Sequence, residues 1–339
     1  MKTRDSVLRE LAEPRTGDGF VSGEELAARC GISRQAVWKA VNVLRAHGAR
    51  VDAVTNRGYH LAGTGNMLSQ ESVAALVPSG VGAHVKVYGS IDSTNAEAGR
   101  LCAEISDVRK LNGTVIIAEQ QTAGRGRLGR PFFSPPGSGL YLSIIYAPEK
   151  GISSPAVLTA SAAVAVCRAL KIVYGADASI KWVNDVFLRG KKVCGILAEG
   201  VTNFETGRID SAVVGIGINI LPGSFPPELA DVAGAVLDGG NADTKRSALA
   251  AGVITGVLGI YTVGDGGIAA AMEEYRRRSL LTGMTITVSP VINQAEKNYT
   301  AVVQGVTDDA KLIVKTDDGL VRTLESGEVT LRSGSFALR

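Results

Sequence analysis

The sequence predicts a multidomain protein of the α+β class: a small helical N-terminal unit with a hairpin, then a larger mixed α/β domain. Three observations predict it. The chain has 339 residues, room for two or three domains at roughly 150 residues each. Its charge is uneven: residues 1–65 hold ten Lys/Arg against seven Asp/Glu, and the remaining 26 of each sign cancel. From residue 81 to about 278, runs of strand and helix character alternate. A hydrophobic content of 45% suits a packed core, and the 41 glycines follow no period, which leaves collagen and solenoids aside. They read instead as tight turns and close backbone approaches.

Residues 20–61 have the elements of a winged helix-turn-helix. Ser22 and Glu25 have capping-box spacing, with Val21 and Leu26 at the staple positions around them. A short helix to about Cys30, a turn at Gly31-Ile32 and a second helix from Arg34 to about 47 follow, the second capped by Ser33 and stopped by Gly48. Val37, Val41 and Leu44 form its inner stripe. That leaves Arg34, Gln35, Trp38, Lys39, Asn42 and Arg45 outside, where Arg and Gln suit base edges and Lys suits phosphates. Val51, Ala53 and Thr55 alternate toward Asn56-Arg57-Gly58, a hairpin wing with Arg57 near its tip. No acidic residue falls between Glu25 and Asp52, so the N-terminal domain, 1–65, is expected to bind DNA. One such module gives modest affinity, so a dimer on a two-fold operator is expected.

A connecting helix is expected over 66–80, and the α/β domain over 81–278. Strands are expected at 85–89, 114–119, 140–146, 180–183, 193–199 and 212–219, and helices at 94–104, 154–173, 245–263 and 269–278. The uncharged stretch 247–264, with Gly252 and Gly256 four apart, reads as a buried helix rather than a membrane span. The N-terminus has no apolar run of a signal peptide, and the four cysteines show neither zinc nor disulfide spacing, so a reducing cytoplasm is expected.

The chemistry is densest at Gln121-Thr-Ala-Gly-Arg125-Gly126-Arg127-Leu-Gly-Arg130. Its GxGxxG matches the dinucleotide fingerprint, but Pro131, Pro135 and Pro136 follow where that fold needs a helix, and no P-loop motif is present. What remains is a glycine loop whose arginines suit phosphate oxygens. Lys181-Trp-Val-Asn184-Asp185 supplies a cation, an amide and a carboxylate at a strand end, suited to phosphate, adenine edge and Mg²⁺. Lys192 enters a strand through a hairpin and Gly195 follows. The strand ending in Asn219 carries glycines, and Ser93-Thr94-Asn95 opens a helix.

In order, SxTN, QTAGRGRxGR, SPxGxxLYLS, KWxND, KxxGIL and GIGIN behind a winged helix resemble the bifunctional biotin–protein ligase and biotin-operon repressor family, over nearly the whole chain. The resemblance implies a central domain like class II aminoacyl-tRNA synthetases and a small SH3-like β-barrel within 279–339, from about Gly283 to Arg332. It implies ATP and biotin as substrates, with Mg²⁺. Biotin is adenylated and passed to one lysine of the biotin carboxyl carrier protein of acetyl-CoA carboxylase. A homodimer promoted by biotinyl-5′-AMP then represses biotin synthesis genes, with no membrane partner.

By the same resemblance, Ser93, Thr94, Asn95, Gln121 and Lys192 match biotin contacts, and Gly195 offers backbone. Arg125, Gly126 and Arg127 match the loop that closes over biotin and the phosphate. Arg130, Phe132, Lys181, Asn184, Asp185 and Asn219 match the ATP side, with Asp185 toward Mg²⁺. Arg127, Lys192, Lys181 and Asp185 are the expected catalytic set. The chain departs from the family at Val183, usually Pro, and at Phe132, often Trp. Two alternatives stand beside this: a catalytically silent biotin-sensing repressor, and a lipoate-type ligase on the same fold.

Overall fold

The structure, a computed structural model, describes residues 3–13, 18–46, 49–63, 68–149, 152, 154–202, 209–223, 225–229, 231–239, 243–289, 298–325 and 328–331. The expected helix stop at Gly48 and the expected domain end at Arg332 lie outside these residues.

Three helices, α1 (Thr3–Ala12), α2 (Gly23–Cys30) and α3 (Arg34–Ala46), pack with the hairpin β1 (Arg50–Val54) and β2 (Gly58–Gly63). Helix α1 adds to the expected motif: Val7, Leu8 and Leu11 bury one face against Leu26, Val37, Val41 and Leu44. Ser22 Oγ accepts from Glu25 N at 3.0 Å, but the Glu25 carboxylate turns to Arg29 at 2.7 Å, so half of the capping box forms. Val21 and Leu26 are both buried, as the staple requires. Ser33 Oγ accepts from Ala36 N at 3.2 Å and caps α3. Of Val51, Ala53 and Thr55 only Val51 is buried. The wing projects past the domain, so its outer residues have no core to face.

The connecting helix is shorter than expected, α4 (Gln70–Leu76), because Ser69 and Ser72 close a capping box there. Its Ser72 Oγ lies 2.7 Å from Ser247 Oγ in the following domain. That domain is built on a seven-stranded sheet in the order β3-β4-β5-β9-β8-β7-β6. The strands are β3 (His84–Tyr88), β4 (Thr114–Ala118), β5 (Gly139–Tyr146), β6 (Ser179–Lys181), β7 (Asp185–Leu188), β8 (Lys191–Thr202) and β9 (Ile209–Asn219). Only β3 and β4 run parallel; the other neighbours are antiparallel.

Alternation along β9 divides the sheet's faces. Ala212, Val214, Ile216 and Ile218 pack with α6 (Pro155–Tyr174), α7 (Arg246–Thr262) and α8 (Asp265–Arg277). On the other face Val213 packs with Ala98 and Cys102 of α5 (Thr94–Glu104). Beyond α5 that second face opens into the cavity described below. Helix α7 is the uncharged stretch and is buried, as expected. A Cβ at its Gly256 would stand 3.0 Å from the Ala165 Cβ of α6, so the missing side chain lets the two helices close. Among the described residues α6 alone is long and apolar enough to cross a membrane, and it lies mostly buried in this core.

Five antiparallel strands close the chain: β10 (Thr285–Ser289), β11 (Tyr299–Val306), β12 (Leu312–Thr316), β13 (Val321–Leu324) and β14 (Glu328–Leu331), in the order β13-β12-β11-β10-β14. Their buried residues run into the central core without a break. Ile180 N donates to Arg278 O and Leu280 N to Ile180 O, both at 2.8 Å, while Trp182 Nε1 donates to Ala310 O at 2.8 Å. The turn after β6 is therefore held from the C-terminal sheet, and that turn carries Asn184.

Candidate active site

The open face of the sheet forms one wall of a cavity of about 960 Å³. Every residue expected at the ligase site lines it: Ser93, Thr94, Asn95, Gln121, Arg125, Gly126, Arg127, Arg130, Phe132, Lys181, Asn184, Asp185, Lys192, Gly195 and Asn219. Five of these are cationic, Arg125, Arg127, Arg130, Lys181 and Lys192. Asp185 is the one carboxylate among the described lining residues. A cavity of that balance favours a polyanion.

The glycine loop leads not into a helix but into a short turn at 127–129 and then an extended run. Gly126 N donates to Arg130 O at 2.7 Å, and Phe132 N to Gly124 O at 2.9 Å. This ladder presents Arg125 and Arg130 to solvent and leaves Arg127 half-buried. The Phe132 ring lies over Gly217, where a Cβ would meet it at 2.4 Å, and Gly217 pairs with Gly195 across β8 and β9. The two glycines let this ring lie close against the sheet.

Deeper in, polar side chains join hands. Gln121 Oε1 accepts from Thr94 N at 2.9 Å and from Thr94 Oγ1 at 3.1 Å, and Gln121 Nε2 donates to Ser134 Oγ at 2.8 Å. Ser143 Oγ lies 2.7 Å from Thr94 Oγ1 and 2.6 Å from Asn95 Oδ1, and Asn95 Nδ2 donates to Glu199 Oε2 at 2.6 Å. Ser93 is the N-cap of α5. Ser93 and Thr94 are buried, so their hydroxyls are desolvated and set in place.

The opposite wall carries the charged groups. Arg127 Nη1 donates to Asn184 Oδ1 at 3.1 Å, and Asn184 Nδ2 to Ile196 O at 3.0 Å. Val183 follows a cis peptide bond, and Tyr275 Oη donates to Val183 O at 3.2 Å. Lys192 Nζ is ion-paired with Asp185 Oδ1 at 2.6 Å. Among the described residues no three His, Cys, Asp or Glu side chains gather as metal ligands. Asp185, already engaged by Lys192, makes no metal site of the protein's own; an octahedral Mg²⁺ here would take most of its oxygens from nucleotide and water.

Sequence reasoning missed part of this cavity. The segment around Phe225–Ala233 lines it, as does Val329 of β14. Lys192 N donates to Val232 O at 2.9 Å and Gly234 N to Lys192 O at 2.8 Å, clipping that segment onto β8. No periodicity marks it. The lining residue Ser134, and Ser143 and Glu199 that bond the lining residues Thr94 and Asn95, were also missed, although both serines fall in the SPxGxxLYLS motif.

At the other end of the molecule, Arg34, Gln35, Trp38 and Lys39 are exposed on α3, with Trp38 56% accessible, and Asn42 is half-buried. Arg34, Gln35 and Trp38 face a groove of about 720 Å³ closed by Arg57 and the wing. Two arginines are engaged within the protein. Arg45 Nε donates to Val51 O at 2.8 Å, tying α3 to the wing, and Arg57 donates to Asp18 at 2.6 Å while stacking on Phe20. The Phe20 amide, and after it the Arg57 guanidinium, hold the Asp18 carboxyl below its usual range.

Fold and site define a class of protein: an enzyme that activates a small acid with a nucleotide, joined to a DNA-binding head. The sequence model of the biotin/lipoate A/B protein ligase family matches residues 88–219, that of an HTH domain 10–60, and that of the biotin protein ligase C-terminal domain 291–332. The bifunctional ligase/repressor BirA of Bacillus subtilis is 30% identical over 97% of this chain and 99% of its own, and that of Escherichia coli 28% over 98% and 99%. A solved biotin protein ligase from Aquifex aeolicus, in complex with biotin and ATP, superposes with a TM-score of 0.57 at 26% identity, covering 74% of this chain and 98% of that one. The chain belongs to the biotin–protein ligase family, with the bifunctional ligase/repressors.

Proposed function

We propose that this chain is an ATP-dependent biotin–protein ligase and a biotin-responsive transcriptional repressor, acting through the cavity of β5–β9 and the surface of α3 and the wing. The observation that carries the ligase reading is the composition of one cavity: five cations against one carboxylate among its described lining residues, and a neutral hydrogen-bonded chain from Ser134 to Asn95 beside them. The neutral chain suits a cyclic urea and the cations suit a triphosphate.

In this reading a biotin carboxylate oxygen attacks the α-phosphorus of ATP. Its bond to the bridging oxygen breaks, and pyrophosphate leaves. Arg125, Arg127 and Arg130 neutralise charge gathering on the phosphoryl oxygens, and Lys181 and Lys192 hold the carboxylate and phosphate in line. The ε-amine of a carrier-protein lysine then attacks the acyl carbon, AMP leaves, and the proton passes toward Asp185. Asn184, Asn219 and Phe132 face the nucleotide, and Mg²⁺ accompanies its phosphates. Ser93, Thr94, Asn95, Gln121, Gly126 and Gly195 face biotin.

On the same reading the C-terminal sheet is an SH3-like barrel and the central domain is of the class II synthetase type. Bound biotinyl-5′-AMP orders the loops and promotes a homodimer whose paired α3 helices read an operator. Incubation with biotin, ATP and purified carrier protein tests the ligase reading. One lysine of the carrier should become biotinylated with release of AMP and pyrophosphate, and an unmodified carrier would overturn it.

A further inference from the structure

Ser134 is buried, 4% exposed, and its hydroxyl has two partners. Its Oγ donates to Phe132 O at 3.0 Å. A carbonyl only accepts, so the single serine proton is committed there, and the Oγ lone pairs are left to accept. Gln121 Nε2 donates to them at 2.8 Å. The nitrogen end of the Gln121 amide is thereby fixed toward Ser134, and its oxygen must face Thr94. There it accepts both the Thr94 amide proton, at 2.9 Å, and the Thr94 hydroxyl proton, at 3.1 Å. Ser134 at one end and the Thr94 N–H at the other thus hold the Gln121 amide in one orientation. Thr94 Oγ1 also lies 2.7 Å from Ser143 Oγ, so its hydroxyl is held between Gln121 and Ser143. Gln121 keeps its second Nε2 proton as a donor.

We infer that Ser134 is a positioning residue for the acid substrate: it holds in place the Gln121 amide that a cyclic urea, with N–H beside C=O, complements. This rests on the biotin reading of the cavity. Without Ser134 the Gln121 Nε2 end loses its buried acceptor, and the amide that should meet the urea is no longer held in place.

The test is steady-state biotin-dependent exchange of pyrophosphate into ATP. Exchange by the wild-type chain establishes the underlying reading by itself, and its absence would sink that reading before any variant is judged. Ser134→Ala should raise the KM for biotin on the order of tenfold, the cost of an orphaned buried amide, while the KM for ATP moves less than about threefold. Ser134→Thr, which keeps the hydroxyl, should restore the biotin KM. On a Gln121→Ala background Ser134→Ala should add nothing further. An unchanged biotin KM in Ser134→Ala, an equal rise in both KM values, or the same biotin effect with Gln121 already removed would overturn the inference. The last outcome would mean that Ser134 touches the ligand itself.

Discussion

On the proposed reading Arg127 is the side chain that contains the intermediate, since it reaches from the glycine loop to Asn184, 3.1 Å away. Arg127→Ala should lower carrier biotinylation on the order of 10²-fold, the usual loss for one electrostatic donor at a reacting centre. It should also let the adenylate escape, so labelled biotin should appear on unrelated proteins added to the reaction. A variant that stays as selective as the parent would contradict this role. The cysteines carry an opposite expectation. Burial pushes the Cys167 thiol up to about 12 and the fully buried Cys194 thiol, beside Lys192, well above its ordinary range. A raised pKa means less thiolate at a given pH, and thiolate is the reactive form. Iodoacetamide at pH 8 should therefore label the half-buried Cys30 before Cys102, Cys167 or Cys194, as peptide mass mapping can check. Prior labelling of Cys194 in folded protein would mean that the cavity wall opens.

Helix α3 and the wing form one unit that divides its arginines between structure and contact. Lys39→Ala should reduce the slope of log affinity against log salt by about one, as one lost phosphate contact does. Arg45→Ala should act differently, loosening the hinge to Val51 and lowering stability more than it changes the salt slope. In the core, Gly256→Leu should cost about 1–3 kcal/mol by overpacking α7 against α6, read as a lower urea midpoint. Elements with a local signal were legible in the sequence. Ser33 and Ser22 capped helices, Val37, Val41 and Leu44 made one stripe, and the strand glycines marked a close approach. Elements whose cause lies elsewhere were not. Helix α1 is amphipathic only with respect to a core that α2 and α3 build, and the segment near Val232 is ordered by backbone bonds to β8. Arg45 is exposed as expected, but no local pattern tells that Val51 O stands within its reach.

Over the whole molecule, the motif residues separated by more than a hundred positions, from Ser93 to Asn219, converge on one cavity. The convergence follows from sheet order: β5, β9, β8, β7 and β6 are neighbours, so their ends and the loops beside them share one face. Arg50 of the wing sheet pairs with Asp243, just ahead of α7, at 2.8 Å, and α4 bonds to α7 through Ser72 and Ser247. These two contacts join the head and the connecting helix to the catalytic domain. Gel shift on the organism's own biotin-gene promoter should strengthen when biotin and ATP are both present and weaken when acceptor carrier protein is added. Binding indifferent to both additions would separate the head from the ligase cycle. The most direct measurement of the central claim is exchange of labelled pyrophosphate into ATP by the purified chain with biotin, lipoate or octanoate as the acid. Rapid exchange with biotin alone is the predicted result. No exchange with biotin, or equal exchange with lipoate or octanoate, would contradict the reading of this cavity as a biotin-activating site.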